Sequence, residues 1–112
     1  MKLIIIESPY AGDIDRNVTY ARRALHDSLS RGEAPIASHL LYTQPGVLDD
    51  NDPTERQWGI DAGLAWHSLG VVITAVYTDY GLSRGMQYGI RAAEKAGAVI
   101  EYRTIGVNSD QT

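Results

Sequence analysis

Apolar residues along this chain fall into two kinds of pattern, and their order predicts an architecture. Leu3-Ile4-Ile5-Ile6 and Gly70-Val71-Val72-Ile73-Thr74-Ala75-Val76-Tyr77 are continuous runs, as expected of strands covered on both faces in a parallel sheet. Elsewhere the period is helical. Val18, Ala21, Leu25 and Leu29 recur every three or four residues, predicting a helix that starts at Asp15 and is stopped by Gly32. Asp52-Pro53-Thr54-Glu55 reads as a helix start, with Asp52 as cap, Pro53 in the first turn and Glu55 in the capping-box position. That helix should run through Ile60, Leu64 and Trp66 to about Ser68. A third helix is expected after Ser83, with Met86, Ile90 and Ala93 on its apolar stripe and Gly97 at its end. Ala34-Pro35-Ile36-Ala37-Ser38 and Ala98-Val99-Ile100-Glu101-Tyr102 are shorter strand candidates, the first with a proline tolerable only near its start or on an edge. His39 to Asn51 is a long connection and so a candidate binding loop.

Alternating strands and helices, joined by right-handed crossovers, predict an α/β fold of the Rossmann-like or flavodoxin-like kind. Its parallel sheet should have four to five strands, with helices on both faces. A length of 112 residues, 44% hydrophobic and 21% charged, fits one modest core and one domain, residues 1–107. The polar residues 108–112 are expected to form a flexible tail.

Charge narrows the partners. A net charge of −4 and a pI near 5.2 argue against binding nucleic-acid polymers, which requires a basic stripe. With no cysteine there is no disulfide, thiolate metal site or cysteine nucleophile. The opening apolar run is too short for a signal peptide or a membrane span, so a cytoplasmic location without membrane contact is expected, in the host cytoplasm if phage-encoded.

In such a sheet ligands bind beyond the carboxyl ends of the strands, and the loops Ser8–Asp13 and Asp79–Gly85 hold that position. Both lead into helix N-termini, whose free amides favour an anion. In Gly81-Leu82-Ser83-Arg84-Gly85 the hydroxyl of Ser83, the guanidinium of Arg84 and the small Gly85 suit a monophosphate; alternatively Ser83 only caps and the glycines only turn. Arg16 and Asn17 offer a second phosphate contact or plain helix surface. Tyr10 can stack on a base or pack in its loop. His39 can bond a ribose hydroxyl or a base edge, or be a packed, satisfied histidine. No second ligand stands at metal spacing from it. Asp49-Asp50-Asn51-Asp52 is better explained by helix capping than as a calcium loop. No metal and no cofactor are expected.

Over nearly its whole length the chain resembles a phage and bacterial branch of the nucleoside 2-deoxyribosyltransferase-like superfamily. The matching stretches are Glu7-Ser8-Pro9-Tyr10 with Asp13 and Arg16-Asn17, Ala37-Ser38-His39-Leu40-Leu41, Leu48-Asp49-Asp50-Asn51-Asp52-Pro53 with Glu55-Arg56, and Gly81-Leu82-Ser83-Arg84-Gly85-Met86. The resemblance implies a pocket for a nucleotide or nucleoside, lined by Ser8, Pro9, Tyr10, Asp13, Arg16, Asn17, His39, Asp79, Ser83, Arg84, Gly85, Met86 and Tyr88. Active members cleave the bond between base and sugar, and their glycosidases carry a Tyr-Glu pair in the helix after the phosphate turn. Here the chain departs: Tyr88 is followed by Gly89, so that glutamate is missing. The expectation that follows is a protein that captures or senses a nucleoside phosphate or an ADP-ribose-type signal without efficient turnover. The competing expectation is an N-glycosidase or deoxyribosyltransferase on nucleoside 5′-monophosphates with a relocated carboxylate, for which Asp79, Asp61 and Glu55 are the candidates. The resemblance also implies a homo-oligomer, and Trp58, Trp66 and Tyr102 are candidates for its interface or for the core. An oligomeric scaffold with a vestigial pocket is the third reading.

Overall fold

The computed structural model describes residues 1–69 and 72–107. Gly70 and Val71, expected at the head of the second long strand, and the expected tail Asn108–Thr112 lie outside the described residues. Strand β1 spans Leu3–Glu7, helix α1 Ile14–Ser30, β2 Ala34–Ile36, α2 Ser38–Leu41, α3 Pro53–Ala65, β3 Ile73–Tyr77, α4 Arg84–Lys95 and β4 Ile100–Arg103. A 3₁₀ turn, Trp66–Leu69, carries α3 onward, so the coil extends about as far as its period predicts.

All pairings are parallel and the strand order is β2-β1-β3-β4, which is flavodoxin-like. The chain leaves β1 toward one edge, forms β2, and returns to place β3 on the other side of β1. Beyond the carboxyl ends of β1 and β3 the connections therefore diverge.

Alternation along the strands divides the core between the two faces. Ile4, Ile6, Ala75 and Tyr77 pack with Tyr20 and Ala24 of α1, while Val76 packs with Met86 and Ile90 of α4. Each fully buried isoleucine side chain stabilises the fold by about 1.5–3 kcal/mol. Glu7 alternates in step with Ile5, and its side chain emerges on the face of α4. A continuous apolar strand thus ends in a carboxyl group that points at a helix.

The second strand is shorter than expected. Its chain turns at Ala37, whose carbonyl accepts from the amides of Leu40 and Leu41, so the start of the long connection folds as α2. That helix lies against α3 because Gly63 has no side chain: a Cβ there would sit 2.7 Å from Ser38 Oγ. No residue of α3 is fully buried, and it packs chiefly on α2 and the 3₁₀ turn, with Leu48 of the connection against Gly59. It stands off the sheet as the outer wall of a cleft.

A buried ion pair tightens the opposite side of the molecule. Arg103 donates from Nη1 and Nη2 to the two oxygens of Glu33, each at 2.8 Å, and holds that carboxyl below its usual range. Ser28 donates to the same carboxylate at 2.7 Å. No helix among the described residues is long and apolar enough to cross a membrane.

Candidate functional site

A cleft of about 200 Å³ opens at the carboxyl end of β1. Its floor is Glu7 and Ser8, with Tyr10 and Ala11 of the following loop. One wall is the first turns of α4, Ser83 to Gly89; the other is α2 with Tyr42 and Thr43. Leu48 and Asp50 from the connection, with Arg56, Gly59, Ile60, Gly63 and Leu64 of α3, close the outer side. Apolar walls with a few convergent polar groups are the usual make-up of a small-molecule site.

Glu7 is the group of greatest interest. Its side chain is 15% exposed, and its carboxylate fills the space beside Gly89, where a Cβ would overlap Cδ and both oxygens. Burial pushes its pKa up, a trend that His67 opposes by hydrogen bonding and charge. Among the described residues, the ion-pair contact of Glu7 is a long one, His67 Nε2 lying 3.8 Å from Oε2. That nitrogen is buried and otherwise unpartnered among the described residues, while Nδ1 lies 3.4 Å from Thr74 Oγ1. The pocket floor thus holds a carboxyl that its surroundings leave poorly stabilised as an anion.

Next to it, Ser8 Oγ and His39 Nε2 share a hydrogen bond of 2.6 Å. Burial lowers the His39 pKa to about 4, so its ring is neutral at physiological pH. On the opposite wall Ser83 caps α4: its Oγ accepts from the Met86 amide at 3.2 Å, and its own amide donates to Met86 Sδ at 3.4 Å. Ser83 also lines the cleft, so capping and facing the pocket coexist. Arg84 and Arg56 are exposed and supply the cationic groups of its rim.

Of the residues expected in the site, the structure brings together Ser8, Tyr10, His39, Ser83, Arg84, Gly85, Met86 and Tyr88. Pro9 is buried beneath the loop. Asp13 caps α1 by accepting from the Arg16 amide at 3.2 Å. Asn17, 1% exposed, donates to the carbonyls of Tyr10 and Ala11 and shapes the loop from below. Arg16 stacks its guanidinium 4.1 Å from the Tyr80 ring centroid. These four residues do not line the cleft.

The three carboxylates named as replacements for the missing glutamate are engaged elsewhere. Asp79 accepts from Tyr20 Oη at 2.6 Å and from the amides of Ile105, Gly106 and Val107. Burial alone would raise its pKa, but these hydrogen bonds outweigh burial and the net shift is downward. Asp61 accepts from Gln57 Nε2 at 2.9 Å on the surface of α3, and Glu55 accepts from the Asp49 amide at 3.0 Å as part of the helix start. None of the three lines the cleft. The carboxylates that do are Glu7 and Asp50. Glu7 belongs to a stretch that carries the resemblance but was not among the candidate carboxylates; the signal for it is a lone acid ending an otherwise apolar run.

The candidate interface aromatics are at the surface: Trp58 is 58% exposed, Tyr102 61% and Trp66 37%. Trp66 Nε1 donates to Tyr42 Oη at 3.0 Å, which ties the end of α3 to the residue after α2.

Residues 2–103 match the family described as domain of unknown function DUF7768, and the chain belongs to that family. Among solved structures it is similar to a 2-deoxyribosyltransferase from the psychrotolerant bacterium Bacillus psychrosaccharolyticus, with a TM-score of 0.59 and 13% identity. The likeness covers 91% of this chain and 72% of that one and shows a common fold. No curated protein matches the chain.

Proposed function

We propose that a chain of this family, with a cleft of this make-up, binds a nucleotide-like small molecule. The observation that carries this reading is the convergence on one cleft of the capped α4 N-terminus, the guanidinium groups of Arg84 and Arg56, and the rings of Tyr10, Tyr42 and Tyr88. Amides and guanidinium groups suit a phosphate, and aromatic rings suit a base. The distant likeness to a deoxyribosyltransferase supports the same ligand class. A volume of about 200 Å³ lies below the roughly 300–1,000 Å³ of pockets that bury drug-sized ligands. A nucleoside monophosphate fits that size better than an ADP-ribose-type molecule, whose second half would project into solvent.

Calorimetric titration with a panel of nucleosides, nucleoside 5′-monophosphates and ADP-ribose tests this. A 5′-monophosphate is expected to bind with micromolar affinity, and Arg84→Ala to weaken it about tenfold or more, as for loss of a charge-assisted hydrogen bond worth about 1.5–3 kcal/mol. Absence of binding across the panel would overturn the reading.

Glycine at position 89, where active relatives of the resembled superfamily carry a glutamate, supports capture without turnover. The Glu7 carboxyl, standing in the space beside that glycine, favours a second reading in which the bound molecule is cleaved at its glycosidic bond.

A further inference from the structure

We propose that Glu7, delivered from the end of β1 into the space kept open by Gly89, is the catalytic carboxyl of a hydrolase that acts on the N-glycosidic bond of the bound ligand. This rests on the binding reading above, and its own support is a juxtaposition. The carboxyl lines the cleft, and the one helical residue that lets it stand there has no side chain. Glycine inside α4 costs about 1 kcal/mol of helix stability relative to alanine. A carboxyl held against burial with only a 3.8 Å contact to His67 is likewise unfavourable for folding. Two unfavourable features that fit each other, at the floor of the cleft, are what a site selected for chemistry leaves in a fold.

Cleavage between base and sugar develops positive charge at C1′ and needs a proton for the departing base. In the proposed step the Glu7 carboxyl donates its proton to a ring nitrogen of the base as the C1′–N bond breaks, its electron pair leaving with the base. A water oxygen forms the new C1′–O bond, and the proton that water loses returns to the Glu7 carboxylate. The products are free base and a sugar with a hydroxyl at C1′, and the enzyme is regenerated without any further reactant. The carboxylate formed in mid-reaction faces the cationic sugar, where charge stabilisation is worth most. A carboxyl whose pKa is raised by burial holds the proton this step requires.

The test is base release, followed by chromatography, from the nucleoside 5′-monophosphates that calorimetry shows to bind. The wild-type protein is expected to release base, and Glu7→Gln to bind the same ligand while losing at least about a hundredfold in rate. Gly89→Ala should also lose activity because its methyl group displaces the carboxyl. The double variant Glu7→Ala/Gly89→Glu, which presents a carboxylate in the same space from the helix, should regain at least about tenfold over Glu7→Ala. Circular dichroism confirms that each variant folds. Binding without release by the wild-type protein, or release undiminished in Glu7→Gln, would overturn the inference and leave the binding reading standing; absence of binding with any of the panel would overturn both.

Discussion

Two carboxyl groups stand near the carboxyl edge of the same sheet, on neighbouring strands, and the fold treats them in opposite ways. Asp79, after β3, receives the Tyr20 hydroxyl and amides of the returning chain at residues 105–107, and its pKa falls. Glu7, at the end of β1, has the distant His67 and the floor of a cleft, and its pKa rises. The difference comes from the face on which each sits. On the α1 side the carboxylates of Asp79 and Glu33 are each met by several donors, and these contacts tie elements together, while Arg103 Nε is buried without a partner among the described residues. On the α4 side Glu7 and the His67 Nε2 are left short of partners. Saturated polar groups support a structure; a buried group left unsaturated is available to something that enters.

Removing Asp79 would break this comparison most strongly. Asp79→Ala deprives the Tyr20 hydroxyl and the amides of 105–107 of their acceptor, and is expected to destabilise the fold by about 3 kcal/mol, read as a lower urea midpoint. If the midpoint moves by less than about a third of that, the network is not structural.

Glu7→Gln should act in the opposite sense. A raised pKa means that the folded state holds the Glu7 proton more tightly than the unfolded chain. The stability this contributes is therefore complete below the ordinary carboxyl value of about 4.5 and is lost as pH rises above it. Glutamine does not titrate. Relative to wild type, the variant should be more stable at pH 7 than at pH 4, the direction that a raised Glu7 pKa requires. Paired urea titrations at the two pH values measure it, and the titration of His39 cancels because both proteins contain it. A constant difference would mean that Glu7 is as well solvated as a surface acid.

Gly89→Ala is the smallest effect expected on stability and sharpens the comparison by separating fold from site. Alanine gains up to about 1 kcal/mol of helix propensity, and the group it displaces is the free end of a side chain, so the midpoint should change by less than about 1 kcal/mol in either direction. A loss of several kcal/mol would show that Glu7 cannot move aside and that the space is part of the core.

Much of this protein is set by local rules that act along the chain. The continuous apolar runs predicted strands covered on both sides, the Asp52-Pro53 and Ser83 signals marked two helix starts, and the alternation of elements predicted a parallel sheet. The α4 wall of the cleft, Ser83 to Met86 with Tyr88, was legible as a group for the same reason: its residues are close in sequence. Tertiary structure alone decided the rest. Asp79 looked free because its partners, Tyr20 and residues 105–107, lie 59 and 26–28 positions away. Glu7 was one residue of a matching stretch and no candidate carboxylate, because its significance depends on Gly89, which lies far along the chain and meets it only once α4 has packed on the sheet. A missing side chain can be read in sequence; what fills the space it leaves is determined only when distant segments pack together.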